Sequence, residues 1–244
     1  MNTASVSHAE ASGHVAATRK ILVWDVPVRL FHWLMVATFA GAWLTAESER
    51  WRLVHVTLGY TMVGLVAFRI IWGLVGTRYA RFTSFVRGPR AVASYLRDIF
   101  HGQPRRFVGH NPAGAIAIIG LLVLTLATTF SGWATYTEFG GSWFEKIHEA
   151  AANIMVALVG AHVLGAIASS WLHRENLVGA MISGQKQGRP EQAARRAWRS
   201  VAVLMLVAVF GFWWLQYRAA PAAGNISDGQ VTSINSVRHD RAHH

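Results

Sequence analysis

The sequence predicts an all-α polytopic membrane protein, a four-helix core of transmembrane spans followed by a fifth, C-terminal span. Three observations predict it. Apolar residues make up 52% of the 244 and charged residues only 14%. The apolar residues gather into five stretches near the roughly 20 residues needed to cross a bilayer. The basic residues, which give a formal charge of +11, lie mostly in loops between those stretches, and 11 Trp are available for interfacial belts. A charge of that size suggests nucleic acid in a soluble protein. Here membrane topology accounts for it, and no nucleic-acid partner is expected. Cysteine is absent. That excludes disulfides, iron–sulfur clusters, thiolate-ligated haem and covalent c-type haem attachment.

Residues 1–20 are small, polar and rich in Ala and Ser, and read as a disordered tail. They have no apolar centre of the kind a secretory signal needs, so the first span is expected to act as the insertion signal. Pro27 marks a helix start. The first span then runs from about Arg29 to Thr45 and holds His32 in its first turn. The second runs from about Leu53 to Val75 and holds His55 in its first turn, with Gly59 and Gly64 leaving room for a neighbouring helix or a flat cofactor. Residues 76–111 carry seven Arg against one acid, Asp98, and their middle, AVASYLRDIF, has the spacing of a helix lying along the membrane surface. The third span, about Pro112 to Trp133, has no ionisable residue and reads as packing. The fourth, Trp143–His173, carries His148 and His162. Residues 188–217 read as a linker and fifth span (about Ser200 to Tyr217), and 218–244 as a polar tail.

The loops at 76–111 and 174–199 are strongly basic, whereas those at 46–52 and 134–147 are not. The positive-inside rule places the basic pair in the cytoplasm of a bacterial inner membrane, with the N-terminus cytoplasmic and the C-terminal tail periplasmic.

Ionisable side chains within a membrane helix are costly and mark function by default. His148 and His162 are fourteen residues apart, about 21 Å along a helix axis and only about 40° around it. Imidazole ligates iron, and two sites on one helix suggest two stacked haems, each needing a second axial ligand. Hydrogen-bonded or interface histidines are the plain alternative. The orientation supplies the partners. His32 and His162 fall toward the cytoplasm, as ligands of an inner haem iron, and His55 and His148 toward the periplasm, as ligands of an outer one. His173, eleven residues past His162 on nearly the same face, competes for the inner position, but it lies beside Arg174 and Glu175 at the membrane edge. His8, His14, His101, His110, His239, His243 and His244 lie in polar segments and need no haem.

The segments VWDVPVRLFHW, WRLVHVTLGY with FRIIWGLVGTRYARF, GHNPAG, and IHE…GAHVLG…HRENLVGAMISGQK resemble the bacterial cytochrome b561 and nickel-hydrogenase cytochrome b family, over residues 21–187. The resemblance implies two haems b in a bundle of four or five helices, held by His32, His55, His148 and His162. It also implies electron transfer between the quinone pool and a partner redox protein. In formate dehydrogenase and hydrogenase subunits of this kind, quinone lies by the cytoplasmic haem at the entry to the third span. The matching motif here begins Asn111-Pro112-Ala113-Gly114, with Asn111 as a hydrogen-bond donor to quinone and Gly114 leaving room for its ring. An N-cap followed by Pro is the structural alternative. Haem propionates need cationic partners, for which Arg29 and then Arg174 are the candidates, with ordinary anchoring of a span as their alternative.

The expected role is thus a dihaem cytochrome b linking a periplasmic redox protein (a c-type cytochrome, a hydrogenase or a molybdoenzyme) to quinone in the membrane lipid. Two other readings stand beside it. One is a self-contained superoxide:quinone oxidoreductase, which needs a cationic outer funnel; the periplasmic loops offer Arg50, Arg52 and Lys146 for it, but Glu47, Glu49, Glu138 and Glu145 oppose it. The other is a haem-free anchor.

Overall fold

The computed structural model describes residues 19–102 and 105–220. Most of the 1–20 tail, most of the 218–244 tail and His8, His14, His239, His243 and His244 lie outside them. The described chain runs β1 (Arg19–Leu22), α1 (Val26–Thr45), α2 (Arg52–Val75), α3 (Pro89–Phe100), α4 (Pro112–Tyr136), α5 (Trp143–His173), α6 (Leu177–Ser183), β2 (Gln185–Gly188) and α7 (Arg199–Ala219). Four helical segments, Glu49–Val75, α4, α5 and α7, are long and apolar enough to cross a membrane. The 20-residue α1 packs along α2 and carries Arg29 and His32 in its first two turns.

The helix starts follow from local chemistry. The Asp25 carboxylate accepts a hydrogen bond from the Val28 N–H (2.9 Å), with Pro27 just inside α1. Asn111 does the same for α4 through the Gly114 N–H (2.7 Å), with Pro112 at the first turn. Asn176 caps α6, and Gly184, at φ 80°, ends it in the left-handed region that glycine tolerates. Arg174 ends α5 in the same region, at φ 49°.

Asp25 also ties helices together. It is fully buried, and its second oxygen accepts from Trp72 Nε1 (3.0 Å) and Thr77 Oγ1 (2.7 Å), which joins the start of α1 to the end of α2. Around this knot pack Ile21, Val23, Trp24, Val28, Trp72, Tyr79, Ala80, Ala180 and Ala194. The two short strands pair antiparallel, with Arg19 opposite Gly188, and so bind the entry to α1 to the exit from α6. Residues 189–198, expected as a linker, are held to this core: Tyr79 Oη donates to the Gln192 carbonyl (2.7 Å) and the Ala194 N–H to that of Leu22 (2.7 Å).

Helices α1 and α2, α2 and α4, and α4 and α5 pack in sequence. In contrast, α5 makes at most marginal backbone contact with α1 or α2, and 11% of its most apolar stretch is buried, against 39% for α2. The chain divides into two compact units, one running to Ala202 and one from Val203, so most of α7 belongs to the second.

Candidate haem-ligating site

His55 on α2 and His148 on α5 are brought together, edge to face. The His55 and His148 ring centroids lie 6.1 Å apart, with the planes at 78°. His55 Nδ1 is hydrogen-bonded to the Ala42 carbonyl on α1 (2.9 Å), and His148 Nδ1 to the Thr128 carbonyl on α4 (2.8 Å). A carbonyl acceptor fixes the Nδ1–H tautomer, orients the ring and leaves Nε2 with its lone pair as the ligand atom, the usual arrangement behind a metal-bound histidine. With metal–nitrogen bonds of about 2.0–2.1 Å on either side of one ion, ring centres fall roughly 6 Å apart. The separation of the two rings thus fits a pair of imidazoles that would hold one iron between them.

Gly132 on α4 makes this placement of His148 attainable. A Cβ at that position would lie 2.8 Å from His148 Cε1 and Nδ1, closer than carbon and nitrogen tolerate. One helical turn after His55, a Cβ on Gly59 would meet nothing within 4 Å, which leaves open space beside His55.

His32 on α1 and His162 on α5 are near enough for their charges to interact, and His32 Nδ1 is buried without a hydrogen-bond partner. The His32 ring meets Trp33 edge-on, at 5.1 Å. A third histidine, His110, joins them. Its ring lies 4.4 Å from that of Trp24 and 5.0 Å from that of Phe85. Burial, then the nearby charges of Arg69, Lys186, His162 and His32, drive its pKa from 6.5 down to about 3, so it is neutral at physiological pH. By composition His110 belongs to a polar loop, and its position just before the α4 cap is the signal that places it near His32 and His162.

Among the candidate cations, Arg29 hydrogen-bonds the Ile182 carbonyl at the end of α6, and its Nε is buried with no partner. Gly184 makes room for it, since a Cβ there would lie 3.1 Å from that nitrogen. The exposed Arg174 contributes its backbone N–H to the end of α5. Asn111 Oδ1 is used by the α4 cap, and a Cβ on Gly114 would sit 3.2 Å from that oxygen, so the motif does structural work at the helix start. At the start of α2, Arg52 pairs with Glu49 (3.4 Å) and Arg50 lies over the Trp51 ring.

A family model described as prokaryotic cytochrome b561 matches residues 23–184, more than half of the chain. The chain is 23% identical over 229 residues to a probable Ni/Fe-hydrogenase B-type cytochrome subunit of Bradyrhizobium diazoefficiens, covering 74% of this chain and 92% of that one. It is 26% identical over 222 residues to the protein of the same description from Cupriavidus necator, covering 71% and 91%. With a probable Ni/Fe-hydrogenase 1 B-type cytochrome subunit of Escherichia coli it shares 26% identity over 143 residues, 48% of this chain and 60% of that one. No solved structure gives a significant match.

Proposed function

The chain belongs to the prokaryotic cytochrome b561 family, whose members are multi-pass helical membrane proteins that bind haem b in electron transport, and on that premise we propose that it holds two haems b and carries electrons between a periplasmic redox partner and membrane quinone. The observation that carries the reading is the approach of His55 to His148, each with Nδ1 on a backbone carbonyl. His32 and His162 form the second pair, at the cytoplasmic level of an inner membrane in which the N-terminus is cytoplasmic and the C-terminus periplasmic.

When bound, haem b supplies a one-electron ferric–ferrous couple. Held between a pair of these histidines, such a group would exchange electrons rather than bind oxygen. Their carbonyl partners hold the rings still, which limits reorganisation when the charge changes. The spans exclude water from both levels. Asn111 and Gly114 are the residues we assign to quinone, and the relatives' description puts a hydrogenase first among partners, ahead of a c-type cytochrome or a molybdoenzyme.

The test is reduction of the purified protein by a short-chain quinol. Asn111→Ala removes a hydrogen bond worth about 0.5–1.5 kcal/mol, so quinol affinity falls roughly two- to tenfold, and Gly114→Leu does more. Both variants keep their haem. Unchanged quinol kinetics in both would remove the quinone site from the start of α4.

A further inference from the structure

A second cation lies deep in the bundle. Arg69, on the membrane-spanning α2, is 3% exposed. Its Nη1 is buried without a hydrogen-bond partner, and no carboxylate among the described residues lies within ion-pair distance. Asp25 acts on it electrostatically, but that carboxylate is already engaged by Val28, Trp72 and Thr77. What Arg69 does touch is aromatic. Its guanidinium carbon lies 4.8 Å from the Phe82 ring centre and 5.9 Å from that of Phe85. Phe82 reaches it because Gly73 has no side chain, since a Cβ there would fall 2.1 Å from the ring. Cation–π contact only partly offsets the loss of water around a buried guanidinium, so such a group calls for an anion.

Its depth says which anion. Arg69 follows His55 by fourteen residues on α2, just as His162 follows His148 on α5. Each interval descends about 21 Å and turns about 40°. His55 and His148 are level with each other. With both helices running inward, Arg69 therefore comes level with His162, and on nearly the side of α2 that presents His55. His110 supports the placement, because Arg69, His162 and His32 all lie close enough for their charges to act on its ring.

We propose that Arg69 binds a propionate carboxylate of the inner haem, its guanidinium backed by Phe82 and Phe85. The inference rests on the reading of His32 and His162 as the inner ligands. In this arrangement Arg69 compensates the propionate charge and raises the reduction potential of the inner iron, since a nearby cation favours the ferrous state. Arg29, whose Nη1 is committed to the end of α6, is the lesser contact.

The experiment uses the full-length protein, purified with haem and freed of quinone. Haem b per chain and the midpoint potential of each haem are measured for the wild type, Arg69→Leu and Arg69→Lys, with His32→Ala marking the inner haem. Arg69→Leu is expected to lose the inner haem, or to keep it with its ferric–ferrous equilibrium shifted about tenfold toward ferric, equivalent to about 59 mV. The outer haem keeps its potential, and Arg69→Lys restores most of the shift. Should Arg69→Leu not accumulate, Arg69→Gln carries the same expectation, being polar and uncharged. Unchanged potentials with both haems present would overturn the proposal. So would an Arg69→Lys protein that behaves as Arg69→Leu does, which would make the role one of packing. Unchanged potentials with slower oxidation by added quinone would also overturn it, in favour of a quinone contact. A wild type with one haem, or loss of the outer haem in His32→Ala, would instead sink the ligand reading beneath it.

Discussion

Gly132→Ala tests the outer site without touching a ligand. The added methyl would lie 2.8 Å from His148 Cε1 and Nδ1, so the imidazole has to move. Overpacking of this kind costs about 1–3 kcal/mol. Movement of the ring also breaks the 2.8 Å hydrogen bond to the Thr128 carbonyl, for about 0.5–1.5 kcal/mol more. The sum, roughly 1.5–4.5 kcal/mol, lowers affinity for the outer haem by roughly tenfold to a thousandfold. The gain of about 1 kcal/mol in helix propensity acts on haem-bound and haem-free protein alike and does not rescue binding. The assay is haem b per chain together with the rate of haem loss to an excess of acceptor protein. Gly211→Ala, where a Cβ meets nothing within 4 Å, serves as the control. An outer haem that leaves Gly132→Ala and wild type at the same rate would refute the geometry assigned to His148.

Three further outcomes follow from the packing. Asp25→Ala strips the α1 cap and orphans Trp72 Nε1 and Thr77 Oγ1; a loss of about 3–5 kcal/mol is expected, measured as thermal unfolding in detergent, and a change below about 1 kcal/mol would contradict the knot. His110 has a folded pKa of about 3 against 6.5 unfolded, so the unfolded chain binds the extra proton. Stability is complete above pH 6.5 and declines by up to about 1.4 kcal/mol per pH unit as pH falls toward 3; His110→Gln should flatten that slope between pH 6.5 and 5, and an unaltered slope would count against it. Reporter fusions should read cytoplasm after residue 90 and periplasm after residue 225. The opposite signals would invert the proposed orientation.

The legible parts of the sequence were those set by short-range periodicity. A fourteen-residue interval on one apolar helix is enough to align His148 with His162, and apolar runs locate α2, α4, α5 and α7 to within a few residues. The same interval separates His55 from Arg69, yet one arginine near the end of a span resembles any interfacial anchor until its neighbours are known. Its burial depends on Phe82 folding back over Gly73, a contact across a turn that hydropathy does not encode. The β1–β2 ribbon was hidden for a related reason. RKIL and QKQG are too short to declare themselves as strands, and they pair across most of the chain. Residues 189–198 resemble a linker in composition, but main-chain bonds such as Ala194 N–H to the Leu22 carbonyl hold them to the core. Asn111 and Arg29 show a different limit: each has a structural contact at a helix end beside the polar role expected of it, and composition does not separate the two.

The most direct measurement is the haem content of four single variants, His32→Ala, His55→Ala, His148→Ala and His162→Ala, resolved by the midpoint potentials of the haem that remains. Two haems b per wild-type chain are expected. His55→Ala and His148→Ala should lose the same one, and His32→Ala and His162→Ala the other. A single haem in the wild type, or the same haem missing from His55→Ala and His32→Ala, would contradict the two-level arrangement.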